Sequence, residues 1–422
     1  MPQDRIFEVL GKVPDERVEV CPPERVFRRR KRAVGVWPEW ARWNGVIERR
    51  YTIGVEEEVM LLHPSDHSLA ESSERVLGRL SGELAEHICP ETHAAVVELA
   101  TGIHVDVAGA VAELAALRAQ LAGELLAMGM GAASAGTYPL ACSGETRVSG
   151  SERYRMVADS MRALARREIT LALHVHVGVP DAEDAIRVLN GLRGAVPVLL
   201  ALSANSPICQ GRDSGFASAR TVIFQGFPRT GTARRFAGYA DYVGAVDALI
   251  ASGALPDPSF LWWDVRLQPA LGTVEVRVMD TQSTVADSAA LIALVQSLVR
   301  LELEGEGADG DVGAEVLAEN RFLAARDGLE ARLIDPAKRQ LVPVRKLIYE
   351  SLARCRPHAI ALGCSVELDQ VGRLEAGNGA DRQRVWAGGA GGLPDLVSTL
   401  SHHFAAPSGD GGDRRVGTRD DR

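Results

Sequence analysis

The segment YTIGVEEEVMLL, residues 51–62, places three consecutive glutamates inside an otherwise apolar stretch. The apolar flanks predict a β-strand, although ionised glutamates are rare in buried strands. Because alternate side chains of a strand share a face, Glu56 and Glu58 point to one side and Glu57 to the other. The segment is therefore either a solvated edge strand or a strand whose Glu56 and Glu58 line a cavity.

Ionisable residues occur in three further strand-like apolar segments: Glu98 in AAVVELATG, His174 and His176 in TLALHVHVGV, and Glu275 and Arg277 in TVEVRVMD. The two histidines share one strand face, and so do Glu275 and Arg277. Each pattern alone has an ordinary explanation, such as core histidines or an exposed Glu–Arg pair. Four strands with the same feature together predict one cavity that is lined from several sides.

Four carboxylates in one cavity, those of Glu56, Glu58, Glu98 and Glu275, would need charge compensation. Like charges raise each other's pKa, and burial of an unpaired charge costs several kcal/mol. Hard divalent cations with oxygen ligands would relieve both costs. Mg²⁺ usually takes one or two protein carboxylates, so this set predicts about two ions or more, with a polyphosphate as co-ligand. A histidine ligand would suit Mn²⁺ as well.

Arginines supply the complementary charge. Arg212 and Arg220 lie in the Gly- and Ser-rich segment 206–224, Arg266 lies in the predicted strand that precedes Arg277, and all four are candidates to bind anions. A guanidinium group binds carboxylate and phosphate oxygens in bidentate fashion. Cations and arginines around a phosphate predict phosphoryl transfer. The chain carries no Walker-type loop and no kinase motif set, so any nucleotide would be held through carboxylate-bound cations.

The composition fits an ordinary globular chain. It has 422 residues, 46% of them hydrophobic, and a net charge of −9, which allows one large domain or two of average size and does not favour nucleic acid or anionic membranes as partners. Six scattered cysteines without zinc-site spacing predict reduced thiols in a cytoplasmic protein. Strand-like and helix-like segments alternate, and the simplest architecture is one α+β domain. The longer predicted helices span 107–129, 153–169, 181–204, 235–253 and 285–305.

Nine motifs follow one another in a fixed order, among them TIGVEEEVMLL, VVELATG, SAGTYPL, RYRMVAD, LHVHVGVPD and TVEVRVMDTQ. The series resembles the bacterial carboxylate–amine ligase branch of glutamate–cysteine ligase family 2. The resemblance implies a glutamine-synthetase-like catalytic domain over 49–390, with a curved, largely antiparallel sheet and helices packed outside it. We expect an N-terminal extension over 1–48 and a C-terminal tail over 391–422, disordered from about residue 407.

The resemblance also implies an activity: ATP phosphorylates a carboxylate, typically the γ-carboxylate of glutamate, and an amine such as that of cysteine attacks the acyl phosphate. It implies Mg²⁺ as the cation, or Mn²⁺. The implied cation ligands are Glu56, Glu58, Glu98, His174 and Glu275. Glu58, Arg220 and Arg277 are expected to act in catalysis, and Arg212, Arg266 and His176 to contact the nucleotide.

The chain departs from its relatives near the expected substrate loop, at Ala172, Ile208, Cys209, RLQP (266–269) and Gly226. These departures leave the identity of the amine, and even glutamate itself, open. Two other functions are considered: an inactive relative that binds a nucleotide or amino acid and regulates a partner, and a metal-dependent hydrolase. By analogy with the family, a homodimer is expected.

Overall fold

The structure, a computed structural model, describes residues 37–141, 146–167, 169–307 and 312–406. The described residues from Pro38 onward form one compact unit. Most of the expected N-terminal extension and the segment expected to be disordered from 407 lie outside the described residues.

The strands are β1 Ile53–Leu62, β2 Ile88–Pro90, β3 Val96–Ala100, β4 Gly131–Ala133, β5 Ala172–Gly178, β6 Ile208–Cys209, β7 Arg212–Asp213, β8 Thr230–Gly231, β9 Trp262–Trp263, β10 Val265–Gln268, β11 Thr273–Asp280, β12 Arg332–Asp335 and β13 Gln340–Pro343. The α-helices are α1 Ser73–Leu77, α2 Val107–Ala127, α3 Glu152–Met161, α4 Ala182–Ser203, α5 Ala219–Phe224, α6 Tyr239–Ala251, α7 Val285–Leu303, α8 Ala314–Asp327, α9 Val344–Leu362, α10 Ser365–Asp369, α11 Val371–Ala376, α12 Gly379–Ala387 and α13 Gly392–Ala405.

A seven-stranded antiparallel sheet forms the centre of the unit. Its order is β10-β11-β5-β1-β3-β2, with β4 paired to the far end of β1. Strand β1 pairs with three neighbours, so the interpretation of residues 51–62 as a solvated edge strand is wrong. The predicted α+β architecture with a largely antiparallel sheet is confirmed.

The strand register decides which side chains meet. Glu58 lies opposite Glu98, Glu56 lies opposite His174, and Glu275 lies opposite His176. Because side chains alternate along each strand, these residues share the inner face of the sheet, as predicted. The intervening residues of the same strands, mostly valine and leucine, are buried on the outer face.

Helices α2, α4 and α7 cover the outer face of the sheet. Helices α4 and α7 begin at the side-chain caps Asp181 and Thr284, which accept hydrogen bonds from backbone N–H groups of the first turn. Among the described helices, only α4 is long and apolar enough to span a membrane, and 72% of its apolar window is buried in the protein. It is packed as a core helix.

Both ends of the described chain pack on this unit. At the N-terminal end, Ala41 is fully buried and its carbonyl oxygen accepts a hydrogen bond of 2.7 Å from the Tyr239 hydroxyl. At the C-terminal end, α13 packs on α2 and β4, although the sequence was expected to become a tail at residue 391. The apolar residues Leu396, Leu400 and Phe404 recur at helical spacing and bury one face of α13.

Glu57, the middle glutamate of the opening segment, lies on the outer face as predicted. It is fully buried and its Oε2 atom accepts a hydrogen bond of 2.6 Å from Nε of Arg118 on α2. The same guanidinium group donates to the carbonyl oxygens of Gln282 and Ser283, at 2.7 and 3.2 Å. Arg118 thereby ties together β1, α2 and the loop that leads into α7.

We expect Arg118→Ala to lower the free energy of unfolding by about 3–5 kcal/mol, because it leaves the Glu57 carboxylate buried without its cation. Urea denaturation measures this change. Lys346→Ala is the matched control, because it removes an exposed helical ion pair with Glu350, and it should cost less than about 0.5 kcal/mol. Equal losses in the two variants would show that the buried pair does not stabilise the fold as described.

Candidate active site

A cavity of about 260 Å³ opens on the inner face of the sheet. Its lining comprises acidic, basic and aromatic side chains, which are Glu56, Glu58, Glu91, Glu98, His93, His174, Arg153, Arg220, Arg266, Arg277, Tyr154, Phe224, Phe227 and Trp262, together with Thr92, Val96, Val157, Thr170 and Ser259. The cavity therefore combines a concentration of charge with an aromatic wall.

Helix α3 crosses the cavity between opposite edges of the sheet. The Tyr154 hydroxyl lies within hydrogen-bonding distance of two acceptors, the Pro90 carbonyl oxygen at the end of β2 at 2.7 Å and Oε2 of Glu91 at 3.0 Å. The neighbouring Arg153 donates from one terminal nitrogen to Oγ of Ser259 at 2.7 Å, and the Ser259 carbonyl oxygen accepts a hydrogen bond of 2.8 Å from Arg266 of the edge strand β10. Two adjacent residues of one helix thus contact residues beside both edge strands, β2 and β10.

The histidines of β5 compensate Glu56. Nδ1 of His174 lies 3.0 Å from one Glu56 oxygen, and Nε2 of His176 lies 3.2 Å from the other. Burial alone would raise the pKa of Glu56, but His176 and His174 hold it well below its usual value. Burial and the nearby Arg277 lower the pKa of His174 to about 4, so its ring is neutral near pH 7 and has a lone pair to offer.

Glu275 is fully buried between two arginines. Arg266 donates to both of its oxygens, at 2.9 and 3.2 Å, and Arg277 donates to Oε1. Gln268 adds a hydrogen bond of 2.7 Å to Oε2. Burial would raise the pKa of Glu275, but Arg266 and Arg277 hold it well below its usual value. Glu275 is therefore an ionised anchor that positions both guanidinium groups.

Glu58, Glu91 and Glu98 form a second, uncompensated cluster. One oxygen of each lies within 4.8 Å of one oxygen of the others. Burial and the Glu91 charge raise the pKa of Glu58 to about 8, and burial with the Glu56 charge raises that of Glu98 well above its usual value. Glu58 accepts one backbone hydrogen bond, from Ala172, at 2.7 Å. Glu58 and Glu98 therefore hold their protons near pH 7 unless a cation binds.

The chemistry of the donors fits Mg²⁺ or Mn²⁺. The trio Glu58, Glu91 and Glu98 offers three carboxylates, and the trio Glu56, Glu98 and His174 offers two carboxylates and an imidazole. Glu98 belongs to both trios, as expected for a ligand that bridges neighbouring ions. In addition, Nε2 of His174 is buried and receives no hydrogen bond from any described residue.

A bulge in β11 brings Arg220 to the site. Between Val276 and Met279 the strand carries one residue more than the facing part of β5. The carbonyl oxygens of Arg277 and Val278 at this bulge accept hydrogen bonds of 3.2 and 3.1 Å from the two terminal nitrogens of Arg220. Arg220 is thus buried beside the cavity, with its terminal nitrogens bound to the backbone.

The structure brings together nine of the ten predicted site residues. Seven line the cavity: Glu56, Glu58, Glu98, His174, Arg220, Arg266 and Arg277. His176 and Glu275 lie directly behind them, in contact with Glu56 and with the arginines. Arg212 is the exception, because it is exposed on β7 and is not part of the cavity lining.

The sequence did not predict several residues of the site, among them Glu91, Arg153, Tyr154 and Gln268. Glu91 had a detectable signal, because it directly follows β2, which pairs with the strand that carries Glu98. Arg153 and Tyr154 stand in a motif typical of an amphipathic helix, so nothing in their spacing singled them out.

Comparisons with known proteins identify the family of the chain. The sequence model of glutamate–cysteine ligase family 2 (GCS2) matches residues 52–387. A relative from Rubrobacter xylanophilus, provisionally named glutamate–cysteine ligase 2-1, is 41% identical over 352 residues, which cover 83% of this chain and 94% of the relative. A relative from Sorangium cellulosum, provisionally named glutamate–cysteine ligase 2, is 36% identical, and the match covers 80% of this chain and 92% of the relative.

Two solved structures share the fold. The glutamate–cysteine ligase of Francisella tularensis, crystallised in complex with AMP, has a TM-score of 0.63 at 14% identity and covers 86% of this chain and 90% of its own. A bifunctional glutathione synthetase from Pasteurella multocida has a TM-score of 0.61 at 13% identity. The match covers 85% of this chain and 52% of the synthetase chain. By the extent of the family match and the identity to its relatives, the chain belongs to glutamate–cysteine ligase family 2 and is an ATP-dependent ligase that forms a carbon–nitrogen bond.

Proposed function

We propose that the protein joins the γ-carboxylate of glutamate, or a closely similar carboxylate, to an amine through an acyl phosphate. The amine is cysteine or another small amine, and no nucleic acid or membrane takes part. A cytoplasmic homodimer is the expected setting. One observation carries the proposal: an uncompensated carboxylate cluster, Glu58, Glu91 and Glu98, lines the same cavity as Arg277.

The reaction needs charge neutralisation more than covalent chemistry. A substrate carboxylate oxygen attacks the terminal phosphorus of ATP, and the bond from that phosphorus to the ADP oxygen breaks. The amine nitrogen then attacks the acyl carbon, the carbon–oxygen bond to phosphate breaks, and the amine loses a proton. Mg²⁺, held by the glutamates and His174, would neutralise charge on the phosphates when bound.

Arg277 is the residue best placed to stabilise the transferring phosphoryl group. Glu275 holds the guanidinium group of Arg277 through one terminal nitrogen. The Nε–H of Arg277 has no hydrogen-bond acceptor among the described residues. The pair is buried, so the arginine meets charge in a medium that screens it little. Glu275 and Arg266 act through Arg277, by holding it in place.

ADP release should depend on both a carboxylate and an amine, because neither half-reaction completes turnover alone. We expect a coupled assay with Mg²⁺ and a panel of carboxylates and amines to show this double requirement. Hydroxylamine in place of the amine should trap the acyl phosphate as a hydroxamate. ATP-independent product would indicate a hydrolase, and binding without ADP release under any combination would indicate an inactive regulator.

Arg277→Ala should lower kcat by about 10³-fold or more, since arginines that stabilise a transferring phosphoryl group contribute on that scale. Steady-state kinetics measures the change. Arg155→Ala is the control, because Arg155 is an exposed arginine of α3 whose guanidinium contacts the Gly150 carbonyl, and it should retain the wild-type rate. A comparable rate in both variants would remove Arg277 from catalysis.

Without divalent cations, the free energy of unfolding should fall as the pH rises from about 5 to about 8. Folded Glu58, with its pKa raised to about 8, still holds a proton that the unfolded chain has released, and this stabilising difference is lost at higher pH. Urea denaturation with a chelator and with Mg²⁺ measures it. Mg²⁺ should flatten the dependence, and Glu58→Gln should weaken it without Mg²⁺; an identical slope in all three conditions would contradict a cation site.

A further inference from the structure

A second group of possible cation ligands lies outside the cavity. It comprises Glu304 and Glu306 at the end of α7 and His358 of α9, a helix that packs against α7. One carboxylate oxygen of each glutamate and one ring nitrogen of the histidine lie within 4.8 Å of one another. None of the three residues lines the cavity, so the proposed ligase chemistry does not explain this group.

A hydrogen-bonded turn at the end of α7 carries both glutamates. Gly305 adopts a left-handed backbone conformation, with a φ of 77°. Its N–H donates to the carbonyl oxygen of Glu302 at 3.2 Å, and the N–H of Glu306 donates to the carbonyl oxygen of Leu301 at 3.0 Å. These two hydrogen bonds form a Schellman motif, in which the residue after the glycine is often apolar and packs on the helix. Here that residue is a glutamate, so carboxylates flank Gly305 on both sides.

Arginines compensate the two glutamates only in part. Nε of Arg300 donates to Oε1 of Glu304 at 2.8 Å, whereas the Glu306 carboxylate pairs with no arginine or lysine in the described part of the chain. Arg354 of α9 approaches Glu306, but its guanidinium group donates to the backbone carbonyl oxygen, at 2.7 Å. Negative charge is also unfavourable at the C-terminus of a helix, where the helix dipole favours a cation. The end of α7 therefore offers carboxylate oxygens that a bound cation would stabilise.

His358 points a ring nitrogen at each glutamate, and it is only 3% exposed. Nδ1 lies 3.4 Å from Oε2 of Glu304, and Nε2 lies 3.2 Å from Oε2 of Glu306. Despite this short distance, the buried Nε2 atom forms no hydrogen bond with any described residue. A hydrogen bond needs an N–H that points at the oxygen, whereas two ligands of one ion point at the ion and not at each other. The arrangement of Nε2 and the Glu306 carboxylate is that of two ligands.

We propose that Glu304, Glu306 and His358 bind a late first-row transition-metal cation, with Zn²⁺ as the best-matched ion, and that this cation links the end of α7 to α9. An imidazole nitrogen beside carboxylate oxygens suits Zn²⁺ better than Mg²⁺ or Ca²⁺, which prefer oxygen ligands alone. The Glu306 side chain is 63% exposed, so water can complete the coordination. The ion stabilises the packing of two helices and takes no part in the ligase reaction.

Calorimetric titration of the full chain with Zn²⁺, in the presence of excess Mg²⁺, tests the site. Removal of a ligand in Glu306→Gln or His358→Asn should weaken Zn²⁺ binding by more than the about 10- to 100-fold that loss of an outer-shell partner costs. Zn²⁺ should also raise the melting temperature of wild type and not that of Glu306→Gln. Because Glu306 is exposed, this variant should fold and should melt like wild type without Zn²⁺.

Two controls locate the bound ion. Glu350→Gln removes an exposed glutamate of α9 that pairs with Lys346, and Glu58→Gln changes the glutamate cluster of the cavity; both should keep this Zn²⁺ site. Absence of Zn²⁺ binding by wild type, equal affinities in wild type and Glu306→Gln, or a loss confined to Glu58→Gln would each overturn the inference. A Zn²⁺ site that depends on Glu306 in a protein that releases no ADP would support the inference and leave only the ligase proposal refuted.

Discussion

Glu58 of β1 lies directly opposite Glu98 of β3, in the middle of an antiparallel sheet, and Glu91 approaches the same point from the end of β2. Like charges in facing positions destabilise a sheet, and burial increases the cost. The residue that separates the ligands along β1, Glu57, turns to the other face and meets Arg118. The outer face thus stabilises the strand whose inner face carries the unfavourable charge.

The charges of the inner face fall into two groups with different consequences. Glu275 is neutralised within the chain by Arg266 and Arg277, so that part of the site is assembled before any ligand arrives. Glu58 and Glu98 form no ion pair with an arginine or lysine among the described residues, and burial together with the neighbouring glutamates raises their pKa values. If the cations and polyphosphate that we propose bind at these glutamates, they would stabilise the folded protein.

Strand alternation explains why much of this site could be predicted from the sequence. A period of two along β1, β5 and β11 assigns Glu56, His174 and Glu275 to one face, and the antiparallel register then brings them together. Contacts between distant segments could not be read in this way. Tyr154 and Glu91 lie 63 residues apart in the sequence, and only the packing of α3 on the site brings them into contact.

Two further differences have physical causes. Arg212 was expected near the nucleotide because of its Gly- and Ser-rich surroundings, but the β6–β7 hairpin turns it outward to an exposed position. The tail over 391–422 was expected from a Gly-, Asp- and Arg-rich composition beyond about residue 375, but the apolar residues Leu396 and Phe404 follow the helical period and bury one face of α13. In both places, the local residue composition alone did not predict the structure.

Anomalous diffraction from crystals grown with Mn²⁺ and an ATP analogue is the sharpest test of the glutamate cluster as a cation site, because it locates cations without assuming their ligands. We expect anomalous peaks at about 2.2 Å from oxygens of Glu58, Glu91 and Glu98, with phosphate oxygens completing the coordination. A nucleotide bound in the cavity with no anomalous peak beside these three glutamates would contradict it, since the carboxylates would then be compensated by protons alone.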